Sequence, residues 1–263
     1  MIEIKSKREI ELMRQAGLRL GRVFDRLQPL IIPGISTFEL DAKVEKFLKE
    51  EGCVPSFKGY EGFPAAICAS VNEILIHGIP SKSKILKDGD IISIDMGNIY
   101  QGYQGDAART YAVGNVSAEA QKLIETAEKC FYAALEVAKP GNRLSDLSHA
   151  IEEVARQGGY GLTEDFGGHG IGREMHEDPM ILNVGRPGRG PILRAGMCLA
   201  IEPMLNLGSK EVRIMPDGWG VKSSDGKLTA HYENTILITE AGAEVLTVDE
   251  NVRKHIGDKH VQR

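Results

Sequence analysis

The chain has 263 residues, 42% of them hydrophobic and 26% charged, with a formal net charge of −5. Those proportions belong to a globular protein long enough to bury a sizeable core, which excludes a disordered tail, a collagen-like repeat and a mini-protein held by disulfides. The acidic balance argues against a broad nucleic-acid-binding surface and against steering toward anionic membranes.

The opening MIEIKSKREIELMRQ has neither the apolar core nor the small-residue cleavage site of a secretory signal. No stretch approaches about 18 apolar residues, so no membrane-spanning helix is expected and the location read from the sequence is cytoplasmic. Met13, Ala16, Leu20, Val23 and Leu27 recur at helical spacing. Pro33-Gly34 ends that helix, and Ser36 or Thr37 can cap a second, whose buried face is Leu40, Val44, Phe47 and Leu48 before Gly52. The apolar run IISID ends in Asp95, and a turn near Asn98 to Gly105 leads to AARTYAV, which reads as an antiparallel partner. A third helix carries Leu123, Ala127, Cys130, Ala134 and Val137, Pro140-Gly141 breaks it, and a fourth carries Leu147, Ile151 and Val154 before Gly158-Gly159. MCLAIEPML and AHYENTILIT read as further antiparallel strands. From Asn251 the chain turns polar, so the reading is one domain over residues 1–250 and a frayed tail over 251–263. Cys53, Cys68, Cys130 and Cys198 are far apart with no CxxC pair, which argues for buried reduced thiols rather than a zinc finger or a redox pair.

The chain repeats itself. Pro33-Gly34 returns as Pro140-Gly141, an offset of 107 residues, and the same offset lays Gly89 on Gly196, Ile94 on Ile201 and Asp95 on Glu202. A helix–helix–strand unit used twice implies one pseudo-twofold domain with its site where the halves meet. The fold class read from this is α/β of the α+β type, with helices covering one face of an antiparallel sheet.

Five side chains then stand out. Asp95 and Glu202 end equivalent apolar strands, Asp106 lies across a hairpin from Asp95, Glu233 sits in the last strand, and His169 lies in the glycine-rich GGHGIG. An acid buried alone beside an apolar strand is expensive, and four of them point to cations. Four carboxylates and a neutral imidazole carry −4, which two divalent ions balance. Such an oxygen-rich set with one histidine suits manganese, iron or cobalt, with zinc also acceptable. His77 and His176 sit in loops bounded by Gly and Pro, whereas His149, His231, His255 and His260 carry no such signal and read as structural.

The segments GYEGFPAAICASVNEILIHGIP (59–80), IDMGNIYQGYQGDAART (94–110), GGHGIGREMHEDP (167–179), AIEPM (200–204) and AHYENT (230–235) together resemble type I methionine aminopeptidases over nearly the whole chain. The resemblance implies the pita-bread fold, with the internal pseudo-symmetry read above. Neither a Cys/His-rich zinc extension nor the helical insertion of type II enzymes is visible, which suggests a bacterial-style enzyme. It implies that Asp95, Asp106, His169, Glu202 and Glu233 hold two divalent ions, with Asp106 and Glu233 bridging. It implies removal of the N-terminal methionine of nascent polypeptides when the second residue is small, by attack of a metal-bridging water on the first peptide bond. Glu202 would serve as general base then acid, His176 as donor to the carbonyl oxygen, and His77 as a contact to the scissile amide nitrogen.

Tyr60, Phe63, Cys68 and Trp219 match family positions that line the methionine pocket. A structural monovalent cation would sit near Asn72, Ile74 and Thr229. The implied enzyme is a monomer acting near the ribosome, without nucleic-acid or membrane partners of its own. Three positions depart from the pattern: Met175 stands where relatives often carry an aromatic, Phe57 where close relatives often carry Cys, and Asn234 in place of the usual His. Proline-directed peptidases of the same fold and metal-free binding modules on it are the rival readings. The former usually carry an extra N-terminal domain, and the latter lose ligands that this chain keeps.

Overall fold

Residues 1–257 are described by the structure, a computed structural model. Ser6 opens helix α1 (Lys7–Leu27): its side chain accepts from Glu9 N–H while the Glu9 carboxylate accepts from Ser6 N–H, which satisfies donors a helix start leaves free. Ser36 and Glu39 repeat that device at α2 (Thr37–Glu50). Ser117 caps α3 (Ala118–Val137), and α4 (Leu144–Gly158) follows. The expected helical stripes are buried, except that Phe47, Val137 and Val154 are half-buried, Phe47 beneath the Arg26 guanidinium, 3.9 Å from its ring centroid.

Nine antiparallel strands form the main sheet: β1 (Val54–Pro55), β2 (Ile67–Val71), β3 (Ile91–Tyr100), β4 (Tyr103–Ala112), β5 (Gly167–Gly170), β6 (Glu177–Leu182), β7 (Cys198–Ile201), β8 (Glu233–Thr239) and β9 (Gly242–Val245). The order is β1-β3-β4-β8-β7-β5-β6, with β2 also on β3 and β9 also on β8. The β3–β4 turn is tighter than the sequence reading placed it. Tyr100 pairs with Tyr103, so only Gln101 and Gly102 turn, both at positive φ (48° and 83°), while Asn98 and Gly105 pair within the ladder.

The duplication is written into the backbone hydrogen bonds. Gly34 N–H donates to Leu86 O at 2.8 Å, and Gly141 N–H to Leu193 O at 3.0 Å. Leu86 N–H donates to Ile35 O at 2.9 Å, and Leu193 N–H to Asn142 O at 2.8 Å. In both pairs every atom is displaced by the offset of 107. Each half lays two helices on one face of the sheet. Leu20, Val23, Leu40 and Val44 pack on Ile92, Ile94 and Ala107. Leu123, Cys130, Leu147 and Ile151 pack on Leu199, Ile201 and Ile236. Alternation along each strand sends Asp95, Asp106, Glu202 and Glu233 to the other face. The four cysteines are buried and unpaired.

The expected frayed tail is corrected in its first part. Asp249 caps a helix α5 (Glu250–Ile256) whose Val252 and Ile256 are buried in the core of the second half, because the polar residues around them face outward on a single helical stripe. His255 stacks on Tyr132 at 3.6 Å. Residues 258–263, including His260, lie outside the described residues. Val252→Ala is expected to lower stability by about 1–2 kcal/mol in urea unfolding, the cost of two buried methyl groups. A change below about 0.5 kcal/mol would mean that α5 does not seal the core.

Candidate metal centre

Strand register brings the acids together. Asp95 on β3 and Glu233 at the start of β8 both pair with Ala108 of β4, from its two sides. Asp106 lies two residues before Ala108 and so shares its face. His169 on β5 pairs with Ala200 of β7, and Glu202 follows Ala200 by two residues. Close strand approach at His169 requires its flanking glycines. A Cβ at Gly168 would lie 2.2 Å from Ala200 O, and one at Gly170 would lie 2.0 Å from Asp178 O. Thr235 of β8 clamps the Asp106 backbone: its hydroxyl accepts from Asp106 N–H at 3.0 Å and donates to Asp106 O at 2.9 Å.

The five side chains line one cavity. His169 Nε2 lies 3.8 Å from Asp106 Oδ2 and 3.9 Å from Glu202 Oε1. Candidate ligand atoms of Asp106, His169 and Glu233 lie within 4.8 Å of one another, and so do those of Glu202, His231 and Glu233. Glu233 belongs to both groups and Asp95 to neither. Burial pushes all four carboxyls well above the usual carboxylate range, and their mutual proximity adds to the shift: Glu202 acts on Asp95, Asp95 on Asp106, and Asp106 on Glu202 and Glu233. Burial lowers His169 to about 4, so its ring is neutral at physiological pH. Its Nδ1 lies 2.9 Å from Gly170 O, which places the ring proton there and turns Nε2 toward the acids as a lone pair. Asp95 Oδ1, Asp106 Oδ1 and Glu233 Oε1 are buried without a hydrogen-bond partner among the described residues. Orphaned buried oxygens around a neutral imidazole fit divalent cations.

The remaining site residues border the same cavity. His77 is held at φ +58°, a left-handed conformation that is costly for a residue with a Cβ. Burial first, then His176, lowers its pKa to about 4. His176 stands at the mouth, its ring centroid 4.4 Å from that of His169, and Tyr60 Oη lies 2.8 Å from its Nδ1. Phe63, Cys68, Phe57 and Met175 form one apolar cluster, joined by Tyr60 and Trp219, with Phe63 edge-on to Trp219 at 5.1 Å. Two of the departures from the family pattern, Phe57 and Met175, therefore build the pocket wall. Cys68 also pairs with Asp95 across β2–β3, so it touches both halves of the site.

Asn234 points away from the acids: its Oδ1 accepts from Arg109 at 2.7 Å and from Thr247 at 2.8 Å. His231, read as structural, is instead within the site, its Nε2 3.4 Å from Glu202 Oε2. Burial lowers its pKa to about 3. The only sequence signal was its place two residues before Glu233 in AHYEN, and the two fall in strands of different sheets separated by Tyr232.

Acids gathered around a neutral imidazole beside an apolar pocket define a candidate metal-binding protein. The profile of metallopeptidase family M24 matches residues 11–240. The chain is 53% identical over 250 residues to the methionine aminopeptidase of Clostridium acetobutylicum, covering 95% of this chain and 100% of that one. It is 51% identical over 247 residues to methionine aminopeptidase 1 of Bacillus subtilis, covering 94% and 99%. The structure of methionine aminopeptidase from Thermotoga maritima superposes with a TM-score of 0.93 at 44% identity, covering 95% of this chain and 100% of that one. The chain belongs to metallopeptidase family M24, in its methionine aminopeptidase branch, and the fold observed is the pita-bread fold that the resemblance implied.

The raised carboxyls carry a pH signature. Their protons stabilise the metal-free fold in and below the ordinary carboxylate range, and that contribution is lost as pH rises through the raised values. The melting temperature of metal-free protein is expected to fall as pH rises above the ordinary carboxylate range, with added manganese removing most of the fall. A flat or rising profile in calorimetry would contradict the charge arrangement described.

Proposed function

We propose that the chain hydrolyses the first peptide bond of polypeptides that begin with methionine, releasing methionine when the second residue is small. One observation carries this reading: a single cavity of about 230 Å³ joins the apolar cluster of Phe63, Cys68 and Trp219 to the buried acids. Its walls suit an unbranched thioether, and its floor of acids suits a terminal amine. An enzyme that needs that amine cuts only at the chain end.

Asp95, Asp106, His169, Glu202 and Glu233 would hold two divalent ions, drawn from cobalt, manganese, iron or zinc. When bound, the ions supply an acidified water and polarise the peptide carbonyl. Glu202 takes the proton of the attacking water and passes it to the leaving amine. Tyr60 Oη, 2.8 Å from Nδ1, can donate to it, and His176 then carries its ring proton on Nε2 and donates to the carbonyl oxygen as charge builds there. His77, held in its strained turn, contacts the scissile amide nitrogen. A monovalent cation beside the site is supported by three oxygens: Thr229 Oγ1 lies 2.9 Å from both Asn72 O and Ile74 O. The reading has the enzyme act as a monomer on chains leaving the ribosome.

Mass spectrometry of Met-Ala-Ser and Xaa-Pro peptides, with each metal in turn, tests the substrate: methionine release is expected, and release only from proline-adjacent bonds would overturn it. Glu202→Ala should remove nearly all turnover, and activity within roughly tenfold of the parent would refute its double role. His176→Ala should lower kcat by roughly 10²–10³ with unchanged metal content, the effect of one lost oxyanion donor. An unchanged kcat would make His176 structural.

A further inference from the structure

His231 has no part in the chemistry above, yet it is only 1% exposed and neither ring nitrogen has a hydrogen-bond partner among the described residues. A neutral imidazole always carries one N–H, and leaving it unpaired in the interior costs free energy. The ring's place is fixed by its backbone. His231 N–H donates to Thr110 Oγ1 at 2.9 Å, and that hydroxyl donates to His231 O at 2.8 Å. From there Nε2 lies 3.4 Å from Glu202 Oε2 and 3.9 Å from Glu233 Oε2. The other Glu202 oxygen, Oε1, faces His169 Nε2 at 3.9 Å.

Glu202 thus stands between two imidazoles that are not equivalent. His169 keeps its proton on Nδ1 against Gly170 O, so it meets the acids with a lone pair. His231 Nδ1 meets no acceptor among the described residues, so nothing holds a proton there, and of the two acids near Nε2 the closer is Glu202, through Oε2. An imidazole that ligates a metal normally donates its other N–H to a partner, and a carboxylate that ligates one normally accepts a hydrogen bond on its outer oxygen. His231 lacks the first feature and supplies the second.

We infer that His231 is a positioning residue whose Nε2–H donates to the outer oxygen of Glu202, fixing that carboxylate with its other oxygen toward the bound ion. The inference rests on the reading of Glu202 as a metal ligand. Such outer partners are worth roughly 10–100-fold in metal affinity.

The test titrates cobalt(II) into metal-stripped parent, His231→Gln, His231→Asn and His231→Leu, by calorimetry and by visible absorption. The Gln amide reaches as far as Nε2, whereas the Asn amide reaches only as far as Nδ1. His231→Leu and His231→Asn are expected to bind cobalt roughly 10–100-fold more weakly, and His231→Gln to stay close to the parent. Melting of the metal-free forms separates lost folding from lost affinity, and the Gln–Asn pair decides the matter if the Leu variant does not fold. Parent-like affinity in His231→Leu or His231→Asn overturns the inference. So does a His231→Gln variant as weak as His231→Asn, which would make the ring a direct ligand or mere packing. A parent that binds no cobalt sinks the metal centre itself, a separate failure.

Discussion

Four carboxyls that repel one another, Asp106 and Glu233 buried and Asp95 and Glu202 half-buried, are the constraint around which the molecule is built. Asp95, Asp106, Glu202 and Glu233 share one face of one sheet, and burial alone pushes each toward its neutral form. Only cations allow all four to ionise together in so small a volume. Every close approach around them serves that demand. Glycines beside His169 let β5 sit against its neighbours, Thr235 pins Asp106, and the paired halves bring Asp95 and Glu202 to one place.

The second half of the support is polar and lies behind the acids. Arg109 is 3% exposed and donates to Glu233 O, to Asn234 Oδ1 at 2.7 Å and to Asp249 at 2.7 Å. Asp249 in turn caps α5. One guanidinium therefore ties the backbone of an acid in the site to the helix that closes the core. Asn234 fits this arrangement: Arg109 and Thr247 both donate to its side-chain oxygen, which points away from the acids. A buried charge of this kind is tolerated because its donors are met.

The apolar cluster and the acids line one cavity because two packing regimes meet there. The face of β2 that carries Cys68 borders both Asp95 and the aromatic cluster, so a side chain in the apolar pocket lies next to the acids. His77 and His176 close the space from two loops, one strained and one oriented by Tyr60. Small changes at Phe57 and Met175 alter the shape of the wall without touching an acid.

Local pattern was enough to read four helices, one cap site at Ser36 or Thr37, the antiparallel hairpin and the duplication, because helical stripes, cap residues and Pro-Gly breaks are short-range signals. It was also enough to single out Asp95, Asp106, His169, Glu202 and Glu233, since an acid at the end of an apolar strand is conspicuous in one dimension. What only the tertiary structure decided involves residues far apart in the chain. His231 came to face Glu202 through the crossing of two sheets at Tyr232, and Thr110 and Thr235 found backbone partners more than a hundred residues away. The polar-looking end of the chain hid Val252 and Ile256, which the structure places in the core of the second half. Sequence carries the chemistry of each side chain and the period of each element. Which side chains meet is settled by strand register and packing, which depend on every other element at once.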